Sequence, residues 1–342
     1  MIAISFTGTM KLLYTDQFTF PLPEGHTFPI EKYALLRKKI TEAGIVEPED
    51  IRVPGAATDE DILRVHDPAY VHRFVTGDMS SAEMRKIGFP WSQALVERTK
   101  RSCGATIQAC FAALDEGIAA NLAGGTHHAF PDRGEGYCIF NDVAIAARAV
   151  QAEKRVRRVV IIDCDVHQGN GTAAIFKEDP SVFTFSIHGD KNFPFHKEKS
   201  DLDVALEDGT GDAAYLDALE RSLDQVLRPD RADLAIYIAG ADPFLDDRFG
   251  RLSLSKEGLA DRDCMVFHRC AERRIPVAIT MGGGYSRKVS DTVEIHFQTV
   301  RIAVETGRGH AVPQVGGKKS FSMSVVKSQT SVDNMGGMKC RR

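Results

Sequence analysis

The sequence predicts an α/β fold, one domain with a mostly parallel central sheet flanked by helices. Three observations carry this. Short apolar runs rich in Val and Ile, at 159–162, 182–187, 234–239 and 275–281, read as strands buried on both faces. They alternate with stretches of helical periodicity at 143–152, 172–176, 213–227, 256–273 and 290–305, the pattern of a parallel sheet with crossover helices. No linker and no internal repeat interrupts the alternation.

The N-terminal third supplies further elements. Residues 1–10 are set aside as an extension, and 12–14 reads as a first short strand. The Pro-rich stretch 21–29 is a loop carrying His26, which is expected to be solvated. Residues 30–43 have helical spacing with Gly44 as the stop. Thr58 and the acids Asp59, Glu60 and Asp61 precede an apolar periodicity, a helix start, and 66–70 turns into another helix. An Ala-rich helix is expected over 92–119, ending near Gly117. The stretch 189–211 reads as a long polar loop. From 313 to 342 periodicity is lost and six Lys/Arg face one Asp, so a disordered basic tail is expected there, outside a domain of 11–312.

Composition excludes several classes of function. The 342 residues are 43% hydrophobic with a formal net charge of -4, which does not suit a direct nucleic-acid ligand. No apolar run approaches the ~20 residues of a membrane span. The opening residues lack a secretory signal. Seven cysteines without a CxxC pair read as reduced, mostly buried thiols, so a cytoplasmic location is expected.

The chemistry concentrates where the predicted strands end. The run 159–171 passes from buried strand to Asp163, Asp165 and His167 at alternate positions, which in a strand project to one side, and then to a Gly169-Asn170-Gly171 loop. Taken alone, solvated acids and a capping Asn would explain it. Asp242 and Tyr285, however, fall at the ends of two further strands, where ligands bind in open α/β sheets. Asp165, His167 and Asp242 would hold a divalent metal and leave coordination positions open, as a catalytic site requires. His127 and His128, after a Gly pair, are the candidate bases. Asp163 would fix a histidine tautomer, and Tyr285 after three glycines would donate to an oxyanion. The set suffices for metal-assisted amide hydrolysis.

The motifs GGTHHA (124–129), GYCIFND (136–142), DCDVHQGNG (163–171), YIAGAD (237–242) and GGGY (282–285) occur in an order that resembles the zinc-dependent histone deacetylase family. HQGNG, DRFGRLSLS (247–255) and PLPEGH most resemble its class IV branch and bacterial relatives. The resemblance implies the arginase-deacetylase fold, a single three-layer domain. It implies zinc, with ferrous iron as the alternative, on Asp165, His167 and Asp242. His128 would be the general base, His127 its neighbour paired with Asp163, and Tyr285 the transition-state tyrosine. Asn170 stands where many class I members carry Asp behind the second histidine. Gly136, Tyr137 and Phe193 would line the lysine tunnel. A structural potassium ion would take backbone oxygens of Asp163, Asp165 and His167 with Ser186 and Ile187. The implied substrates are acyl-lysine proteins or peptides, with long acyl chains as well as acetyl. Two further readings compete: deacetylation of small amines such as acetylpolyamines, and a metal- or acyl-binding regulator without turnover.

Overall fold

The computed structural model describes residues 10–228 and 232–309. Eight parallel strands form one sheet: β1 (Lys11–Leu13), β2 (Ile51–Arg52), β3 (Ile118–Asn121), β4 (Val159–Asp163), β5 (Val182–Gly189), β6 (Leu202–Leu206), β7 (Leu234–Ile238) and β8 (Val277–Thr280). Their order is β2-β1-β3-β8-β7-β4-β5-β6. Ten helices connect them among the described residues: α1 (Glu31–Ala43), α2 (Asp59–Leu63), α3 (Pro68–Thr76), α4 (Ser81–Ile87), α5 (Gln93–Glu116), α6 (Asp142–Ala152), α7 (Asn170–Phe176), α8 (Asp212–Val226), α9 (Lys256–Glu272) and α10 (Val289–Gly307).

Strand alternation builds the three layers. In β4, Val160 and Ile162 join a core with α1, α8, α9 and α10, while Val159 and Ile161 point into a second core with α3, α5 and α6. With both faces covered, the central strands β4, β7 and β8 are buried along their whole length and apolar up to their last residues. Local signals set the helix ends. Thr58 accepts from the Asp61 N–H while Asp61 accepts from that of Thr58, starting α2, and Gly44 closes α1 in the left-handed region.

The pairing register positions the site. Asn121 of β3 is opposite Thr280 of β8, Thr280 is opposite Ile238 of β7, and Ile238 is opposite Asp163 of β4. Four neighbouring strands therefore finish on one row, and their loops all leave from it.

The structure departs from the sequence expectations at several places. The helix expected over 92–119 stops at Glu116, because Ile118 and Ala119 open β3. The expected loop 189–211 contains β6, which pairs with β5 at the sheet edge. Helix α7 starts at Asn170 rather than Thr172. His26 is not simply solvated: its Nε2 lies 2.9 Å from the Gly88 carbonyl oxygen, and its ring packs against Phe89. Strand β4 ends at Asp163, so Asp165 and His167 lie on a bent segment beyond it and not on the strand. Residues 1–9 and the basic stretch from 313 lie outside the described residues. Among the described residues six cysteines are free and buried, and no helix is long and apolar enough to cross a membrane.

Candidate metal centre

The four loops leaving the common row converge. Donor atoms of Asp165, His167 and Asp242 lie within 4.8 Å of one another. Backbone donors aim the carboxylates. The Gly283 N–H donates to Asp165 Oδ2 at 2.7 Å, and the Val166 N–H donates to Asp242 Oδ1 at 2.9 Å. Asp242 Oδ2, fully buried, is left without a hydrogen-bond partner. His167 Nδ1 lies 2.9 Å from Asp165 Oδ1 and 3.2 Å from Asp242 Oδ2.

Electrostatics press the same way. Burial and the nearby Asp165 charge push the Asp242 carboxyl up to about 7. Burial opposes the charge on His167, yet the Asp165 and Asp242 carboxylates beside its Nδ1 raise it to about 10. Two buried carboxylates, one with an orphaned oxygen, beside an imidazole are a donor set that calls for a divalent cation. The residues fit one.

The two histidines differ in their partners. His127 Nδ1 lies 2.6 Å from Asp163 Oδ2, and His128 Nδ1 lies 2.7 Å from Asn170 Oδ1. Burial disfavours charge on His127, but Asp163 and Asp165 outweigh it and raise its pKa to about 9. Burial, then the charges of His127 and His167, drive His128 well below the usual histidine range. These shifts favour a charged His127 and an uncharged His128 at neutral pH. Asn170 is itself held, donating from Nδ2 to Glu135 Oε1 at 2.6 Å.

A cavity of about 630 Å³ opens over this group, with His127, His128, Asp165, His167 and Tyr285 in its lining. Gly136, Tyr137 and Phe193 line it as well. The Phe193 ring stands nearly perpendicular to that of His128, centroids 4.9 Å apart. Gly136 has φ 57°, and a Cβ there would come within 2.8 Å of His128 Cδ2, so only glycine suits both the backbone and the space. Tyr285 is 8% exposed, and burial pushes its phenol well above its ordinary value, keeping it a proton donor. Of the residues expected around potassium, Asp163 and Ser186 are paired across β4 and β5, and Ile187 is buried.

Three supporting residues escaped the sequence reading. Lys32 is 1% exposed, donates to the Gly284 carbonyl at 3.2 Å, and lies over the rings of Phe28, Tyr33 and Tyr285. Its signal was present: with Leu36 and Ile40 it forms the buried stripe of α1. Asp247 accepts from the Tyr285 N–H at 2.6 Å and from those of Phe249 and Gly250. Arg262, fully buried, donates to the carbonyls of Gly240 and Cys164, which lie just before Asp242 and Asp165. No local pattern in the sequence marks Arg262, whose carbonyl partners come from distant loops; Asp247 opens the DRFGRLSLS stretch and accepts from its own Phe249 and Gly250, but its bond to the Tyr285 N–H joins a separate loop.

The model of the histone deacetylase domain matches residues 26–300. The chain is 42% identical over 292 residues to an uncharacterized protein of Picosynechococcus sp., covering 85% of this chain and 97% of that one. It is 30% identical over 308 residues to histone deacetylase 2 of Arabidopsis thaliana, covering 85% and 75%. Its fold matches that of a histone deacetylase homologue from Aquifex aeolicus with a TM-score of 0.74, at 24% identity over 89% of this chain and 85% of that one.

Proposed function

The chain belongs to the histone deacetylase family, and from that premise we propose that it removes acyl groups, acetyl or longer fatty acyl, from lysine ε-amines. The observation that carries this reading is the convergence of Asp165, His167 and Asp242 beside a neutral His128, with Asp165, His167 and His128 lining one cavity and Asp242 fully buried next to them. A divalent ion held by these three, zinc in the first instance, would polarise the acyl carbonyl and acidify water.

The chain's own groups supply the rest. His128 Nδ1 donates to Asn170, leaving Nε2 to take the proton of the attacking water. As the oxygen attacks, the Tyr285 hydroxyl donates to the acyl oxygen, where negative charge develops. Protonated His127, held by Asp163, adds positive charge nearby. The C–N bond then breaks, and His128 returns its proton to the leaving lysine amine. Tyr137, Gly136 and Phe193 form a wall that keeps water from the rest of the side chain. Backbone oxygens around Asp163, Asp165, His167, Ser186 and Ile187 would hold a structural potassium ion.

Turnover of acetyl-, octanoyl- and myristoyl-lysine peptides beside acetylspermidine, with zinc and with a chelator, tests the reading. Chelator-sensitive cleavage of an acyl-lysine peptide is expected. Preference for acetylspermidine would move the protein to small amines, and no chelator-sensitive cleavage of any substrate would favour a binding protein.

A further inference from the structure

The charge around the cavity mouth is opposite in sign to that of the whole protein. The chain carries -4 overall, yet the exposed residues lining the mouth include Arg85, Lys86, Lys191 and Arg251, with Glu135 the one exposed-side carboxylate among the lining residues. These cations come from three separate segments. Arg85 and Lys86 lie in the last turn of α4, Lys191 in the loop after β5, and Arg251 in the loop before α9. Arg251 is paired with Asp208 at 3.2 Å, while Arg85, Lys86 and Lys191 form no ion pair among the described residues. Glu135, half-buried, turns one oxygen inward to Asn170 and sets a single negative charge against the four cations. Two aromatic rings stand among these cations at the same mouth: Phe195 is 82% exposed and Phe249 39%.

We propose that this basic, aromatic mouth selects an acyl-lysine flanked by carboxylates, on an acidic polypeptide segment. The inference rests on the hydrolase reading above and deepens it by naming the substrate's surroundings. The physical argument is complementarity. Cations from three sides favour an anionic ligand and repel a cationic one, so an acylated polyamine is the poorest fit. The exposed rings supply apolar contact for the peptide on either side of the lysine.

The test uses fluorescent octanoyl-lysine peptides of equal length flanked by Glu, by Gln or by Lys, on the zinc-loaded full chain. Binding is read by anisotropy and cleavage separately. The Glu-flanked peptide is expected to bind roughly ten-fold tighter than the Lys-flanked one at low salt, with the gap closing as ionic strength rises. The charge reversals Arg85→Glu and Lys191→Glu together should invert the order with an unchanged melting temperature, since both side chains are exposed. Free Nε-octanoyl-lysine, with its own carboxylate, distinguishes the source. Competition as strong as that of the Glu-flanked peptide would assign the carboxylate to a small molecule in place of the polypeptide. Equal binding of Glu- and Lys-flanked peptides overturns the inference whatever the cleavage. Tighter binding of the Glu-flanked peptide without cleavage upholds the mouth and sinks the hydrolase reading.

Discussion

His128 Nδ1 stands 2.7 Å from the Asn170 amide oxygen, so the proposed base leans on a neutral partner, while its neighbour His127 leans on a carboxylate. Asn170→Asp would place a negative charge on that nitrogen and raise the His128 pKa by ~1–3 units. A base must be unprotonated to act, so the acid limb of the kcat/KM profile should move to higher pH by a unit or more. A pH–rate profile of the variant with an octanoyl-lysine peptide checks this. A limb that stays in place would assign the base to His127.

Two variants separate chemistry from metal. His128→Ala should lower kcat by roughly 10²–10⁴-fold across the pH range. Tyr285→Phe should lower it by roughly 10²–10³-fold. Metal content should remain near that of the unaltered protein in both, because neither residue belongs to the Asp165–His167–Asp242 group. Kinetics beside metal analysis of the same preparations decide it.

Gly283 is expected to be intolerant of a methyl group. A Cβ there would fall on the Asp242 carboxylate and come within 2.8 Å of Asp165 Oδ2. Gly283→Ala should therefore retain the fold by circular dichroism while weakening zinc retention under a competing chelator by roughly ten-fold or more. Asp242→Ala should lose the metal outright.

Lys32 separates stability from function. It is a buried cation that touches aromatic rings and one carbonyl, with no carboxylate partner among its contacts. Lys32→Met keeps the length of the side chain and removes the cost of burying a charge, so stability should hold or rise. The Gly284 carbonyl and the Tyr285 ring lose their support, so kcat should fall roughly ten-fold with little change in KM. Thermal melts and steady-state kinetics on the same variant test both halves.

His66 gives the fold an acid limit. Its Nε2 accepts the Asn141 N–H at 2.9 Å and its Nδ1 lies 3.0 Å from the Phe130 carbonyl, so the ring is held neutral. Burial lowers its pKa to about 4. Below pH 6.5 the unfolded chain takes up a proton that the folded chain refuses. Stability is therefore full above 6.5 and lost as pH falls toward 4, by up to about 3 kcal/mol. Urea midpoints between pH 7.5 and 5 should show this slope, and His66→Gln should reduce it, with His188, also lowered to about 4 by burial, contributing to what remains.

What could be read from the sequence divides along physical lines. The strands β4, β7 and β8 were legible because both their faces are buried and their residues are apolar up to the strand ends. Strand β3, Ile-Ala-Ala-Asn, was not: its alanines continue the composition of α5, and only Gly117 separates the two. Strand β6 alternates Leu202, Val204 and Leu206 with Asp203 and Ala205, a pattern submerged in a polar stretch at the sheet edge. The metal-centre residues stood out because loops at strand ends have little other reason to carry Asp and His. Arg262 did not, since it acts on carbonyls brought to it from elsewhere in the chain, and the bond of Asp247 to the Tyr285 N–H likewise joins two separate loops.

The shared row on which β3, β8, β7 and β4 end also has a kinetic consequence. Asn121 meets Thr280 across about half of the described chain, and β8 is inserted between β3, which lies far earlier in sequence, and β7, the strand just before it. Closing so long a loop is slow, and the loops that carry Asp242, Tyr285 and the histidines have no common origin until it is done. Assembly of the Asp165–His167–Asp242 group thus belongs to the end of folding, and the rate at which refolding protein takes up an added divalent ion should report when the last central strand has taken its place.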